Sequence, residues 1–175
     1  KREAAYIGEN FQIGQSRVIL EPRTLAKLLD ALDIDNDELV LDIGTGLGYS
    51  SAIISLLAEV VIAVEDDSSL ASEAEEILSE IGADNVVVQV SKLQDGAPEH
   101  GPYDVIILQG GIEEIPVSIF KQLKNGGRIG AIFVEKGLGT AKIGFKLNDK
   151  INWRYSFNAS APILPGFFKQ KDFAL

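Results

Sequence analysis

Between Pro22 and Leu32 the leucines fall at positions 25, 28, 29 and 32, a spacing of i, i+3, i+4 and i+7 that sets them on one helical face. Pro22 suits the first turn of that helix, where its missing N–H costs nothing. After the acidic turn Asp33 to Glu38, the apolar run Leu39 to Ile43 is short enough for a strand covered on both faces. Helical spacing returns from Gly48 to Ala58, with Ala52, Ile53, Leu56 and Leu57 on one side. Val60 to Val64 is again an apolar strand and ends in Glu65-Asp66-Asp67. Residues 68 to 81 place Leu70, Ala74, Ile77, Leu78 and Ile81 on one face, with Gly82 where a helix would stop.

A strand over Val86 to Val90 and the turn-rich "SKLQDGAPEHGP" lead to a fourth strand, Tyr103 to Leu108. A helix over Ile115 to Leu123, a Gly126-Gly127 turn and a fifth strand, Arg128 to Val134, follow. Residues 141 to 147 and 151 to 158 alternate without a helical pattern, which predicts an antiparallel hairpin. The order β-α-β-α-β-β-α-β predicts a Rossmann-like α/β fold: a mostly parallel sheet covered by helices on both faces, with the C-terminal hairpin at its edge. Right-handed crossovers put the carboxyl ends of the parallel strands on one edge, and the ligand crevice belongs there.

Composition narrows the chemistry. The chain has 175 residues, 46% of them hydrophobic and 24% charged, the profile of a folded soluble domain. Sixteen basic against twenty-six acidic residues leave a net charge of -10, which argues against nucleic acid and anionic lipid as partners. The absence of Cys and a single His remove thiolate chemistry, disulfides and a His-based zinc site, so no metal is expected. No apolar run reaches bilayer length and the first residues lack a signal-peptide core, so a cytoplasmic protein is expected. There is no Met, even at position 1, as in a fragment or a sequence from which modified residues have dropped out.

The candidate chemistry lies in "LVLDIGTGLGYSS", Leu39 to Ser51. A strand runs there into Gly44, Gly46 and Gly48 and then into a helix, the corner at which bare main chain lets a ligand approach. Glu65 stands twenty-one residues past Gly44 at the end of the next strand, where a carboxylate can accept both hydroxyls of an adenosine ribose. A dinucleotide fingerprint would carry its third glycine one position later, where Tyr49 stands, which disfavours a nicotinamide dehydrogenase.

With Asp42 two residues before the first glycine, the corner resembles the D/E-x-G-x-G-x-G loop of class I S-adenosylmethionine-dependent methyltransferases. "VLDIGTGLGYSSAI", "APEHGPYDVII" and "EEIPVSIFKQLKNGGRI" together resemble the protein-L-isoaspartate O-methyltransferase family over most of residues 6 to 135. The family's usual amino-terminal segment is absent before Lys1, as in a truncated chain. The resemblance implies the class I methyltransferase fold in a single domain, 1–175. Within it lie an N-terminal extension and helix (1–37), a cofactor-binding core (38–135) and C-terminal antiparallel strands with a tail (136–175). It implies S-adenosyl-L-methionine as cofactor, with Asp42, Gly44, Thr45, Gly46, Gly48, Tyr49, Glu65, Asp66, Ser91, Lys92 and Gln109 around it. The implied function is protein repair: methyl transfer to a carboxylate of damaged protein or peptide, or to a changed acceptor such as a small carboxylate. The alternative is an inactive paralogue that kept the cofactor site.

Two departures from the family pattern bear on that choice. The family's active-site Ser, in a G-Q-T-I-S-x-P stretch, aligns with Leu20, with Glu21 before Pro22 and Ser16 nearby. The family's G-D-G after the third strand, whose Asp contacts adenine, reads Ser91-Lys92-Leu93, so adenine would be held by main-chain groups there. Transfer of an activated methyl group to an ionised carboxylate needs no general base, which suits a chain poor in His. His100 reads as a surface turn residue, and Lys136, Lys142, Lys146, Lys150 and Arg154 as a solvated hairpin cluster. Gln109, Gly110 and Gly111 read as a turn at the crevice, and "APILPGFFKQKDF" as cover for the sheet edge.

Overall fold

The computed structural model describes residues 8–169. Its elements in chain order are β1 (Phe11–Gly14), β2 (Arg17–Ile19), α1 (Pro22–Leu32), β3 (Leu39–Ile43), α2 (Tyr49–Ile54), β4 (Val60–Glu65), α3 (Ser68–Glu80) and β5 (Val86–Val90). Beyond a 3-10 turn at Pro98–His100 come β6 (Tyr103–Ile112), α4 (Val117–Gln122), β7 (Leu123–Glu135), β8 (Leu138–Leu147) and β9 (Lys150–Asn158). A seven-stranded sheet runs β5-β4-β3-β6-β7-β8-β9, and β1 and β2 form a separate hairpin. Strands β5 to β7 pair in parallel, while β8 pairs antiparallel with both β7 and β9. The fold is therefore the α/β class I methyltransferase architecture with antiparallel strands at one edge.

The pleat divides the core. Val40, Val61, Val105 and Ile107 join the leucines of α1 and Ile54 of α2 in one buried cluster. Leu41, Ile43, Ile62, Val64, Ile106 and Leu108 join Ile119 of α4 and the tail residues Leu164 and Phe167 in the other. Helix α1 has eleven residues and no side-chain N-cap bond, too little for independent stability. Burial of Leu25, Leu28, Leu29 and Leu32, at about 2 kcal/mol each, is what holds it. Helix α3 is capped by Asp67, whose carboxylate accepts from the N–H groups of Ser69 and Leu70.

Several boundaries differ from the sequence expectation. Helix α2 stops at Ile54 and turns carry the chain to β4, with Leu56 fully outside the core at 85% exposure. Gln109 to Gly111 lie inside β6 and not in a turn. Gly111 extends the strand by donating its N–H to Pro162 O at 2.7 Å and accepting from Leu164 N at 2.8 Å. The tail thus covers the carboxyl end of β6 and not the sheet edge. Helix α4 is confined to Val117–Gln122, and β7 begins immediately after it at Leu123. Lys146 is buried and not part of a solvated cluster, because Phe120 O and Leu123 O at the end of α4 accept from its ammonium at 3.0 and 2.8 Å. Among the described residues, no helix is long and apolar enough to cross a membrane. The expected domain limits at 1 and 175, and the last residues of the tail, lie outside the described residues.

Candidate functional site

The turn from β3 into α2 lies at the carboxyl end of the central parallel strand, and its three glycines do three different things. Gly48, at φ 82, lets α2 start against α3: a Cβ there would sit 3.1 Å from Leu78 Cδ1 and 3.4 Å from Ala74 Cβ. Gly44 and Gly46, at φ 82 and 59, face outward onto the β1–β2 hairpin. A Cβ on Gly44 would lie 3.3 Å from Arg17 Nη2 and 3.6 Å from Leu164 Cδ2, and one on Gly46 only 2.5 Å from Ile13 Cδ1. The bare corner is thus covered by Ile13, Arg17 and Leu164.

Asp42 anchors the corner from beneath. It is fully buried, and its Oδ2 accepts from the hydroxyls of Ser50 and Ser51 at 2.6 and 2.5 Å. Its Oδ1 accepts from Gln109 Nε2 at 2.7 Å. Because Ser51 donates to Asp42, the 2.8 Å contact between Ser51 and Thr45 is a hydroxyl of Thr45 donating to Ser51 Oγ. Burial raises the Asp42 pKa and these donors oppose the rise. Each of the three donors converging on it favours the charged form.

Glu65 ends β4 beside the corner with both oxygens engaged. Oε2 accepts from Gly46 N at 2.7 Å, and Oε1 from the N–H groups of Asp66 and Asp67 at 3.0 and 3.2 Å. Arg17 meets the same carboxylate in a two-point fork, Nη1 to Oε1 at 2.8 Å and Nη2 to Oε2 at 2.6 Å. Its Nη1 also donates to Asp66 Oδ1 at 2.7 Å. Burial alone would raise the Glu65 pKa, but the hydrogen bond and charge of Arg17, with the further hydrogen bonds of Asp66 and Asp67, outweigh it and hold the group below the ordinary value. Asp66 moves the other way, raised by burial and then by its neighbour Glu65.

Of the residues singled out from sequence, Asp42, Thr45 and Gln109 share one buried network, and Gly44, Gly46, Glu65 and Asp66 share the adjoining one. Tyr49 is half-buried and packs against the core cluster of α1 and α2, beneath the corner. Ser91 follows β5 and donates its N–H to Glu65 O at 3.0 Å, while Lys92 is exposed. Leu20 is 2% exposed among the leucines of α1, Glu21 precedes that helix, and Ser16 is exposed at the hairpin turn, so no hydroxyl replaces the expected one at that point. His100 is exposed in its 3-10 turn. Sequence reading missed Arg17, Ile13, Ser50, Ser51 and Leu164. Arg17 sits among apolar residues in "SRVIL", and no local spacing marks it as the partner of an acid forty-eight positions on.

The model of the family protein-L-isoaspartate(D-aspartate) O-methyltransferase matches residues 1–152. A protein-L-isoaspartate O-methyltransferase of Syntrophus aciditrophicus (strain SB) is 38% identical over 127 residues, 73% of this chain and 58% of that protein. One of Opitutus terrae is 35% identical over 128 residues, 73% of this chain and 55% of that protein. A solved protein-L-isoaspartate O-methyltransferase superposes with a TM-score of 0.81 at 26% identity, over 89% of this chain and 51% of that one. A putative enzyme of that kind from Plasmodium falciparum, solved with S-adenosyl-L-homocysteine, gives 0.78 at 21% identity, over 94% of this chain and 83% of that one. The chain thus spans little more than half the length of the curated relatives it matches. On the family match and these identities, the chain belongs to the protein-L-isoaspartate (D-aspartate) O-methyltransferase family.

Proposed function

We propose that the chain binds S-adenosyl-L-methionine at the glycine corner and transfers its methyl group to a carboxylate of a damaged protein or peptide. The observation that carries this reading is the pairing of bare main chain at Gly44 and Gly46 with the Glu65 carboxylate beside it, in a chain of this family. The residues fit such a ligand in their chemistry. A carboxylate stands ready for a ribose diol, outward-facing glycines admit an amino acid moiety, and a buried guanidinium nitrogen, Arg17 Nε, has no partner. Ile13 and Arg17 lie over both outward glycines, so the β1–β2 hairpin must shift to admit a ligand.

The bound cofactor supplies an activated methyl group on a sulfonium. The work left to this chain is positional: Glu65 fixes the ribose, the corner fixes the amino acid end, and Ile13 and Leu164 wall the site against water. An ionised acceptor carboxylate needs no base, so the buried Leu20 in place of a hydroxyl removes a positioning contact and not a proton-transfer group. Asp42, with its oxygens committed to Ser50, Ser51 and Gln109, stiffens the corner from below.

Incubation with methyl-labelled cofactor and an isoaspartyl peptide tests the proposal. Base-labile label on the peptide is the expected result. Binding of S-adenosylhomocysteine without any transfer would identify a chain that kept the cradle and lost the reaction.

A further inference from the structure

Glu65 does not need Arg17 to satisfy its hydrogen-bonding capacity, since three main-chain N–H groups already converge on it. Arg17, 93% buried, leaves its own Nε without a partner while its terminal nitrogens bind Glu65 and Asp66. A buried donor left without a partner calls for a reason beyond pinning the hairpin. The guanidinium nevertheless rests against the Gly44 face of the corner, where no side chain stands between it and the main chain.

The outer side of the corner is acidic: Glu65 and Asp66 both lie beside it, with Asp42 buried beneath. A ligand with a free carboxylate entering there meets like charge, and Arg17 is the cation the structure supplies at that spot. The hairpin that carries Arg17 is short, four residues paired with three. Its flank is tied by Asn10, which donates to Ser160 O and accepts from Glu21 N.

Resting on the cofactor reading above, we infer that Arg17 and Glu65 exchange partners on ligand entry, Glu65 passing to the ribose diol and Arg17 to the carboxylate of the ligand's amino acid moiety. In the closed state each ion neutralises the other. In the loaded state each meets the ligand group of complementary chemistry, so the site selects for a molecule that carries both a diol and a carboxylate at the right separation. The guanidinium's planar fork suits a carboxylate at two points, which a lysine ammonium would not reproduce.

Calorimetry on the intact chain with two probes tests this. S-adenosylhomocysteine carries the carboxylate, and S-adenosyl-3-thiopropylamine is the same thioether without it. The wild-type chain should favour the first by roughly tenfold or more, the discrimination of a good charged contact. Arg17→Gln should cut that preference about tenfold while binding the carboxylate-free probe at least as well as wild type, because Glu65 is released to the ribose. Arg17→Lys, which keeps the charge should the glutamine variant fail to fold, should retain a preference reduced several-fold. Equal wild-type affinity for the two probes, or an unchanged ratio in a folded Arg17 variant, overturns the inference and leaves the cofactor reading standing. No heat with either probe on folded wild-type protein overturns both.

Discussion

At the scale of single residues, Asp42 is the group whose loss leaves most behind. Substituting Asp42→Ala strands the donors of Ser50, Ser51 and Gln109 in the interior, at about 1–3 kcal/mol for each unsatisfied group. The expected loss of stability is about 3 kcal/mol or more by urea unfolding. Asp42→Asn should cost clearly less, because its carbonyl can face the serines and Gln109 can turn its amide to present oxygen to the new NH2. Glu65 gives a prediction in pH. Its pKa in the folded chain lies below the ordinary value, because Arg17 and the hydrogen bonds of Asp66 and Asp67 together outweigh the opposing effect of burial. The ionised pair therefore stabilises the fold above the unfolded carboxylate's pKa of about 4.3, and this contribution is lost as pH falls through the lower folded value. Unfolding free energies of wild type and Glu65→Gln, measured from pH 7 down toward pH 2, should converge at the acid end. A gap independent of pH would show that the ion pair contributes nothing.

At the scale of elements, Gly48 ties the corner to α3. Its φ of 82 and the 3.1 Å approach to Leu78 Cδ1 mean that Gly48→Ala adds left-handed strain and a crowded methyl at once. A loss of about 1–2 kcal/mol is expected, read as a lowered urea midpoint at constant slope. Trimming Leu78→Ala removes a buried leucine and is itself destabilising, but in that background Gly48→Ala should cost only the backbone strain, the crowding part being gone. The elements readable in advance share one property: their pattern is set by their own burial. The leucines of α1 announce themselves by their spacing, and the valines and isoleucines of β3 and β4 by unbroken apolar runs buried on both faces of the sheet. Elements that form because something distant is present were not readable. Strand β6 runs on through Gln109 and Gly111 because residues 161–164 pair with it, and Lys146 is buried because the carbonyls ending α4 happen to lie beneath it. The glycines and Glu65 were visible as candidate site residues, whereas the hairpin over them was not, since Phe11–Gly14 and Arg17–Ile19 are too short to show a period.

At the scale of the whole molecule, the crevice is closed from two directions by segments of unequal strength. The tail buries Leu164 and Phe167 at 1% and 0% exposure. It is also stitched by main-chain bonds, Gly111 to Pro162, Leu164 to Gly111, and Glu113 and Glu114 to Phe167. The hairpin buries only Arg17 and Val18 of its strand residues and exposes Phe11 at 42%. Local opening follows buried apolar contact and protected hydrogen bonds, so the hairpin should open at far lower free energy than the tail. Hydrogen exchange at neutral pH should therefore show the strand amides from Phe11 to Ile19 exchanging well before those of Gly111, Glu113 and Leu164. Arg17→Gln should speed the hairpin further and leave the tail amides unchanged. If the tail amides exchanged first, entry to the corner would run past Leu164, and the hairpin would be a fixed wall instead of the door.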